Sequence, residues 1–187
     1  MDFTEFPKIA RLSREIVITE KIDGTNGQIF IGEDGDFLVG SRSRWITPEQ
    51  DNHGFARWAY EHKEELIAGL GVGKHFGEWW GSGIQRGYGL SKGEKRFSLF
   101  NTNRWGVTRD VDKYPIDKPD CCHVVPVLMS GIFTTGLVRD SLDILEDFGS
   151  QAAKGFMNPE GIVIFHTAAN MMFKKTIKND EKGKGEL

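Results

Sequence analysis

The run Ile16-Val17-Ile18-Thr19-Glu20 is almost entirely β-branched, is interrupted at Gly24, and resumes as Gly27-Gln28-Ile29-Phe30-Ile31. Branched side chains suit a pleated surface, and glycine frees the backbone to turn, so the stretch reads as strand, turn, strand. Gly32-Glu33-Asp34-Gly35-Asp36 forms a second turn cluster before a third strand, Phe37-Leu38-Val39-Gly40, which together predict an antiparallel meander. From Asp51 to Leu70 the period becomes helical, with Phe55, Trp58, Ala59, His62, Leu66 and Ile67 near one face. Strands are expected again at 74–80, at 96–100, and as a closing hairpin over 161–165 and 171–174, with a helix over 138–148 and at most a helical turn over 6–12. The expected class is α+β with mostly antiparallel strands.

A chain of 187 residues suits one domain, and no repeat or low-complexity linker divides it. The expected division is a folded domain over residues 1–177 and a charged, Gly-interrupted tail over 178–187. Net charge is -3, so any nucleic-acid contact must come from a local basic patch and not from the global field. The two cysteines, Cys121 and Cys122, are adjacent and read as reduced thiols. The start Met1-Asp2-Phe3-Thr4-Glu5 lacks the pattern of a signal peptide, and no apolar run is long enough to span a membrane. The expected location is the cytoplasm, with no membrane partner.

Chemistry concentrates in Glu20-Lys21-Ile22-Asp23-Gly24-Thr25-Asn26-Gly27. A lysine at a strand end is usually a solvated turn residue. Here Gly24 lets the backbone turn beside a bulky ligand, and Asp23 and Asn26 bring polar groups to the same turn. A lysine nucleophile must shed its proton, which nearby cations or desolvation favour. Ser41-Arg42-Ser43-Arg44-Trp45 offers guanidinium forks that match phosphate oxygens, or else a solvated basic turn. His75-Phe76-Gly77-Glu78-Trp79-Trp80-Gly81 sets a carboxylate in an aromatic strand, where it lines a cleft or faces water. Pro159-Glu160-Gly161-Ile162 repeats that form, and a second carboxylate in the cleft would suit Mg²⁺. Met171-Met172-Phe173-Lys174-Lys175-Thr176 ends a strand in lysines, of which alternation lets only one face a given side. Phe97 and Phe100 are three apart on a short strand, so one is core and the other is free to stack on a base.

Taken in order, these segments resemble the motif set of the covalent nucleotidyltransferase superfamily, which comprises DNA ligases, RNA ligases and mRNA capping enzymes. Lys21-Ile22-Asp23-Gly24 looks like motif I, Ser41-Arg42 like motif Ia and Phe76-Gly77-Glu78 like motif III. Phe97-Ser98-Leu99-Phe100 looks like motif IIIa, Glu160-Gly161-Ile162-Val163 like motif IV and Phe173-Lys174-Lys175 like motif V. The extension Gly24-Thr25-Asn26 and the loop Gly83-Ile84-Gln85-Arg86-Gly87 resemble the RNA-ligase-2 branch. The sequence departs from the family pattern at Asn101, where many ligases carry aspartate, and at Lys175-Thr176, where a second lysine usually follows after one residue.

The resemblance implies an adenylyltransferase domain over 1–177, with antiparallel sheets around an ATP cleft. Lys21 would attack ATP to form lysyl-AMP, the AMP would pass to a 5′-phosphate end, and a 3′-hydroxyl would then seal the strand. It assigns catalysis to Lys21 and Lys174, and nucleotide binding to Glu20, Lys21, Asp23, Gly24, Asn26, Arg42, Glu78, Phe100, Glu160 and Lys174. Glu160 would hold Mg²⁺, with Mn²⁺ as a substitute, and Arg44 is a weaker candidate for phosphate or RNA. RNA ends or a nicked duplex are the implied partners. Because the sequence stops soon after Lys175, no OB-fold is expected, and a subunit whose grip on the polynucleotide comes from an accessory protein is one alternative. The alternatives are a minimal DNA ligase, a guanylyltransferase of capping type, and a non-catalytic module that binds nucleotides or nucleic-acid ends.

Overall fold

The computed structural model describes residues 2–106 and 118–181. Within them the chain forms β1 (Glu15–Lys21), β2 (Thr25–Ile31), β3 (Phe37–Gly40), β4 (Trp45–Ile46), α1 (Phe55–Glu61) and α2 (Lys63–Leu70). There follow β5 (Gly73–Gly81), β6 (Lys95–Leu99), α3 (Thr102–Trp105), β7 (Cys122–Val124), β8 (Val127–Ile132), α4 (Thr135–Phe148), β9 (Gly161–His166) and β10 (Met171–Thr176). Residues 182–187 of the expected tail lie outside the described residues. Residues 2–11 adopt no regular element.

Two sheets result. One has four strands in the order β10-β9-β1-β8, and the other has six in the order β4-β3-β2-β5-β6-β7. All pairings are antiparallel except β6 with β7. The expected three-strand meander is therefore corrected: β2 and β3 form a hairpin, but β1 pairs with β8 and β9 in the other sheet. The reason lies in Ile22-Asp23-Gly24, which carries the chain from one sheet to the other instead of folding it back. β8, which sequence reading missed, has little alternation to betray it, since both Val127 and Ile132 are exposed.

Each sheet is covered on one face. Ile29, Val39, Ile46, Trp79, Phe97 and Leu99 pack the six-stranded sheet against Phe55, Ala59, Leu66 and Leu70 of α1 and α2. The expected single helix breaks at His62, and its start is fixed by Asp51, whose carboxylate accepts N–H bonds from Ala56 and Arg57. Ile16, Ile18, Ile162 and Ile164 pack the four-stranded sheet against Leu137, Leu142 and Leu145 of α4. Thr134 caps that helix by accepting the Leu137 N–H. A third cluster (Ile22, Trp80, Tyr88, Val125 and Ala153) joins the sheets where the chain crosses between them. No helix among the described residues is long and apolar enough to cross a membrane.

Candidate active site

Lys21 is the last residue of β1, and its neighbour Glu20 shares the parity of Ile16 and Ile18. Alternation thus sends Glu20 toward the α4 side and Lys21 to the opposite face. Lys21 Nζ donates to Glu160 Oε2 at 2.5 Å, and the two side chains are largely enclosed. The partnership is set by strand register: Lys21 is paired with Gly161, so Glu160 arrives beside it at the start of β9.

The crossover after Lys21 is held at each residue. Asp23 N donates to Tyr88 Oη at 2.9 Å, and that hydroxyl donates to the Lys21 carbonyl at 3.4 Å. The Arg86 guanidinium donates from Nε to Asp23 Oδ2 at 2.9 Å and from Nη1 to the carbonyls of Asn158 and Pro159. One arginine thereby ties the segment after Lys21 to the segment before Glu160. Glu78 on β5 accepts the Gly24 N–H at 3.0 Å through Oε1 and the Asn26 amide at 3.2 Å through Oε2. Gly24 is needed for the close approach, because a Cβ there would come within 2.8 Å of Trp80 Cβ.

Three carboxylates crowd this seam, and Glu78 shows the strain. Burial pushes its pKa up to about 7, opposed by the Lys21 charge and the Gly24 N–H and reinforced by Glu160 and Asp23. Burial likewise pushes the Tyr88 hydroxyl well above its ordinary value, opposed by its bond from the Asp23 N–H, so it stays a neutral donor. Glu20 is buried on the other face. Its Oε2 accepts the N–H groups of Gln151 and Ala152 at 2.8 and 2.9 Å, and burial raises its pKa against those bonds and Ser150. Its Oε1 has no hydrogen-bond partner among the described residues.

The remaining sequence candidates lie at the rim. Lys174 is paired with Val163 and Lys175 with Ile162, whose side chain sits in the core under α4. Lys174 therefore shares the face of Lys21, whereas Lys175 lines a cavity of about 570 Å³ beside α4 and pairs with Asp180. Phe100 follows β6 and donates its N–H to the Phe76 carbonyl, which extends the ladder beside β5. It is 37% exposed, while Phe97 is fully buried. Arg42 sits exposed in the tight turn closed by Ser41 and Arg44. Gly40 before it pairs with Gln28, two residues from Asn26, so the turn borders the same end of the sheet. Among the described residues no group of three or more His, Cys, Asp or Glu side chains is placed to hold a metal. Both cysteines are free, and Cys122 is buried.

Sequence reading overlooked Arg86 and Tyr88 as site residues. The one available signal was the Gly-rich loop that carries both, whose six positive-φ or glycine positions over 81–89 mark a backbone shaped for a purpose.

Two sheets, each covered on one face by helices and joined at a crossover that presents a lysine to clustered carboxylates, define the nucleotidyltransferase fold. The sequence matches the RNA ligase family over residues 14–178, and the chain belongs to that family. The solved structures bear out the fold. A variant of Naegleria gruberi RNA ligase with ATP and Mn superposes with a TM-score of 0.61 at 19% identity, covering 89% of this chain and 51% of that one. The same organism's RNA ligase with PPi gives 0.60 at 18%, covering 88% and 50%, and a variant with AMP and Mn gives 0.57 at 18%, covering 87% and 49%. The chain thus spans about half the length of these solved relatives. No curated protein matches the sequence.

Proposed function

We propose that the chain is the adenylyltransferase domain of an ATP-dependent RNA ligase, with Lys21 as the nucleophile. The observation that carries this reading is the placement of Lys21 Nζ on Glu160 at a sheet crossover clamped by Glu78 and Arg86. Held lysine geometry is what in-line attack requires, since catalysis at phosphorus rests mainly on positioning and charge neutralisation.

In the first step Nζ leaves Glu160 and gives up a proton to solvent, and the neutral amine forms a bond to the α-phosphorus of ATP as the bond to pyrophosphate breaks; a second proton then passes to solvent, which leaves the phosphoramidate nitrogen neutral. AMP then passes to a 5′-phosphate RNA end, and attack by a 3′-hydroxyl releases AMP. Lys174, on the face of Lys21, neutralises α-phosphate charge, and Arg42 at the rim answers the outer phosphates. Glu78 and Asn26 meet the ribose, and Phe100 stacks on adenine. Asp23 and Gly24 shape the turn, and Glu20 acts at one remove by anchoring β1 to the 150–152 loop.

The donor set fits a divalent cation that arrives with the triphosphate, not one caged by protein alone. Glu160 supplies one carboxylate, and Mg²⁺ characteristically keeps waters and phosphate oxygens for the rest, with Mn²⁺ a workable substitute. When bound, such an ion neutralises charge at the reacting phosphate.

Incubation with α-labelled ATP and Mg²⁺ tests the assignment. Label is expected on the wild-type chain and none on Lys21→Ala, with both folded by circular dichroism. Equal labelling of the two, or an unlabelled wild-type chain, would overturn it.

A further inference from the structure

The six-stranded sheet has one face under α1 and α2; its other face is buried at Trp80 and Ser98, where the third cluster packs, and is exposed at Phe76 and Trp45. Register identifies what that face carries. Trp45 is paired with Gly40, Gly40 with Gln28, and Gln28 with Phe76, and Phe100 continues the row beside Phe76. Residues paired across a sheet share a face, so these five line up from the outer strand to the nucleotide site. Four strand spacings of about 4.8 Å make the row about 19 Å long.

A soluble sheet that faces water normally turns polar residues outward. Here Trp45 and Phe76 are each 51% exposed. Trp45 lies down on the sheet: a Cβ on Gly40 would come within 3.1 Å of its ring, and the indole would have to shift by a few tenths of an ångström to admit it. Phe30 on the next row supports it at 6.4 Å between ring centroids. Basic groups accompany the rings. Arg42 and Arg44 flank Trp45, and Lys74 is paired with Phe30. The acidic turn Glu33-Asp34-Gly35-Asp36 lies beyond Phe30 and Leu38, at the far end of the hairpin, and bounds the patch.

We propose that this exposed part of the face is a stacking track for unpaired RNA bases, with Trp45 and Phe76 as the stacking residues and Arg44 and Lys74 answering the phosphates. It deepens the RNA ligase reading and rests on it for the choice of RNA. Exposed rings interleaved with basic side chains are the chemistry that holds single strands, because every base has a π-face and every linkage a charge. The chain's net charge of -3 makes the local patch necessary for such contact. Continuity with Phe100 sets the direction: a strand on the track reaches the cleft at Lys21.

The test is fluorescence anisotropy of a labelled, unstructured RNA oligonucleotide without ATP, on the full chain. Trp45→Leu and Phe76→Leu are each expected to weaken binding about tenfold, and Trp45→Phe to keep it within about twofold. Trp45→Leu should still accept label from ATP, since Trp45 lies three strands from Glu78. Leucine preserves apolar area, so the contrast with phenylalanine isolates stacking from mere burial. Unchanged RNA binding in both leucine variants would overturn the track. So would a concentration-dependent dimer that Trp45→Leu dissolves while RNA binding stays, because the face would then belong to a second copy. Since binding is read without ATP, failure of Lys21 labelling and failure of the track are separate results.

Discussion

The seam and the rim of this site are built on opposite principles. At the seam, an ion pair joins Lys21 to Glu160 within the four-stranded sheet, and Glu78 on β5 and Arg86 beyond it hold Gly24, Asp23 and the segment before Glu160 by hydrogen bonds. At the rim, Arg42, Phe100 and Lys174 are exposed. The contrast fits the roles proposed for each. A nucleophile at Lys21 would have to be placed before substrate arrives, and prepaid order lowers the barrier of an in-line displacement. The groups proposed to contact phosphate and base would gain by closing on the substrate after it enters. Loss at the seam should therefore harm fold and chemistry together, while loss at the rim should harm chemistry alone.

The sharpest break is Gly24→Ala. The added Cβ would press on the Trp79 carbonyl, Trp80 Cβ and Glu78 Cγ, all on the central strand β5, and the first two are fixed to its backbone and cannot withdraw. The expected cost is about 3 kcal/mol of stability in urea unfolding, with lysine labelling lost as well. A variant with wild-type stability and labelling would mean the crossover tolerates movement, and the seam would be no more ordered than the rim.

How far the sequence revealed this division depends on range. Local patterns were readable: the β-branched run of β1, the hairpin of β2 and β3, the helical period over Phe55 and Leu66, and the closing hairpin. The motif residues around Lys21, Glu78 and Glu160 were readable as a resemblance, and strand parity allowed only one of Lys174 and Lys175 on a given face. What could not be read was partnership. Nothing near Asp23 announces Arg86, 63 residues away. Nothing near Glu20 shows that its carboxylate is spent on the backbone at Gln151 and Ala152. The sheet change at Ile22-Asp23-Gly24 looked like an ordinary turn, because turn chemistry states that a chain bends and not which strand receives it.

Lys174 and Lys175 divide the rim from its surroundings within two residues. Lys174→Ala is expected to slow label transfer about 100-fold, the usual scale for removing one charge-stabilising donor, at unchanged stability. Lys175→Ala, on the α4 face beside Asp180, should change the rate less than about twofold. Single-turnover labelling of both variants measures the split. Equal effects would show that β10 does not hold its register in solution.

The finest distinction within the seam is the proton on Glu78. In the folded chain this carboxyl takes up its proton near pH 7, against about 4.5 when exposed. Between those values the folded state binds more protons than the unfolded one, so its contribution to stability falls as pH rises through that window. Above it the ionised, enclosed carboxylate exacts its full cost, no more than about 2 kcal/mol once the solvent still reaching the cleft is allowed for. Glu78→Gln removes the charge, keeps an acceptor for the Gly24 N–H, and lets the Asn26 amide turn its oxygen toward the new side chain. The difference in unfolding free energy, variant minus wild type, should then be small near pH 4.5 and grow by about 2 kcal/mol toward pH 8. Groups common to both chains cancel in that difference. A flat difference would mean that Lys21 already compensates Glu78 in full, and that the crowding of carboxylates costs the seam nothing.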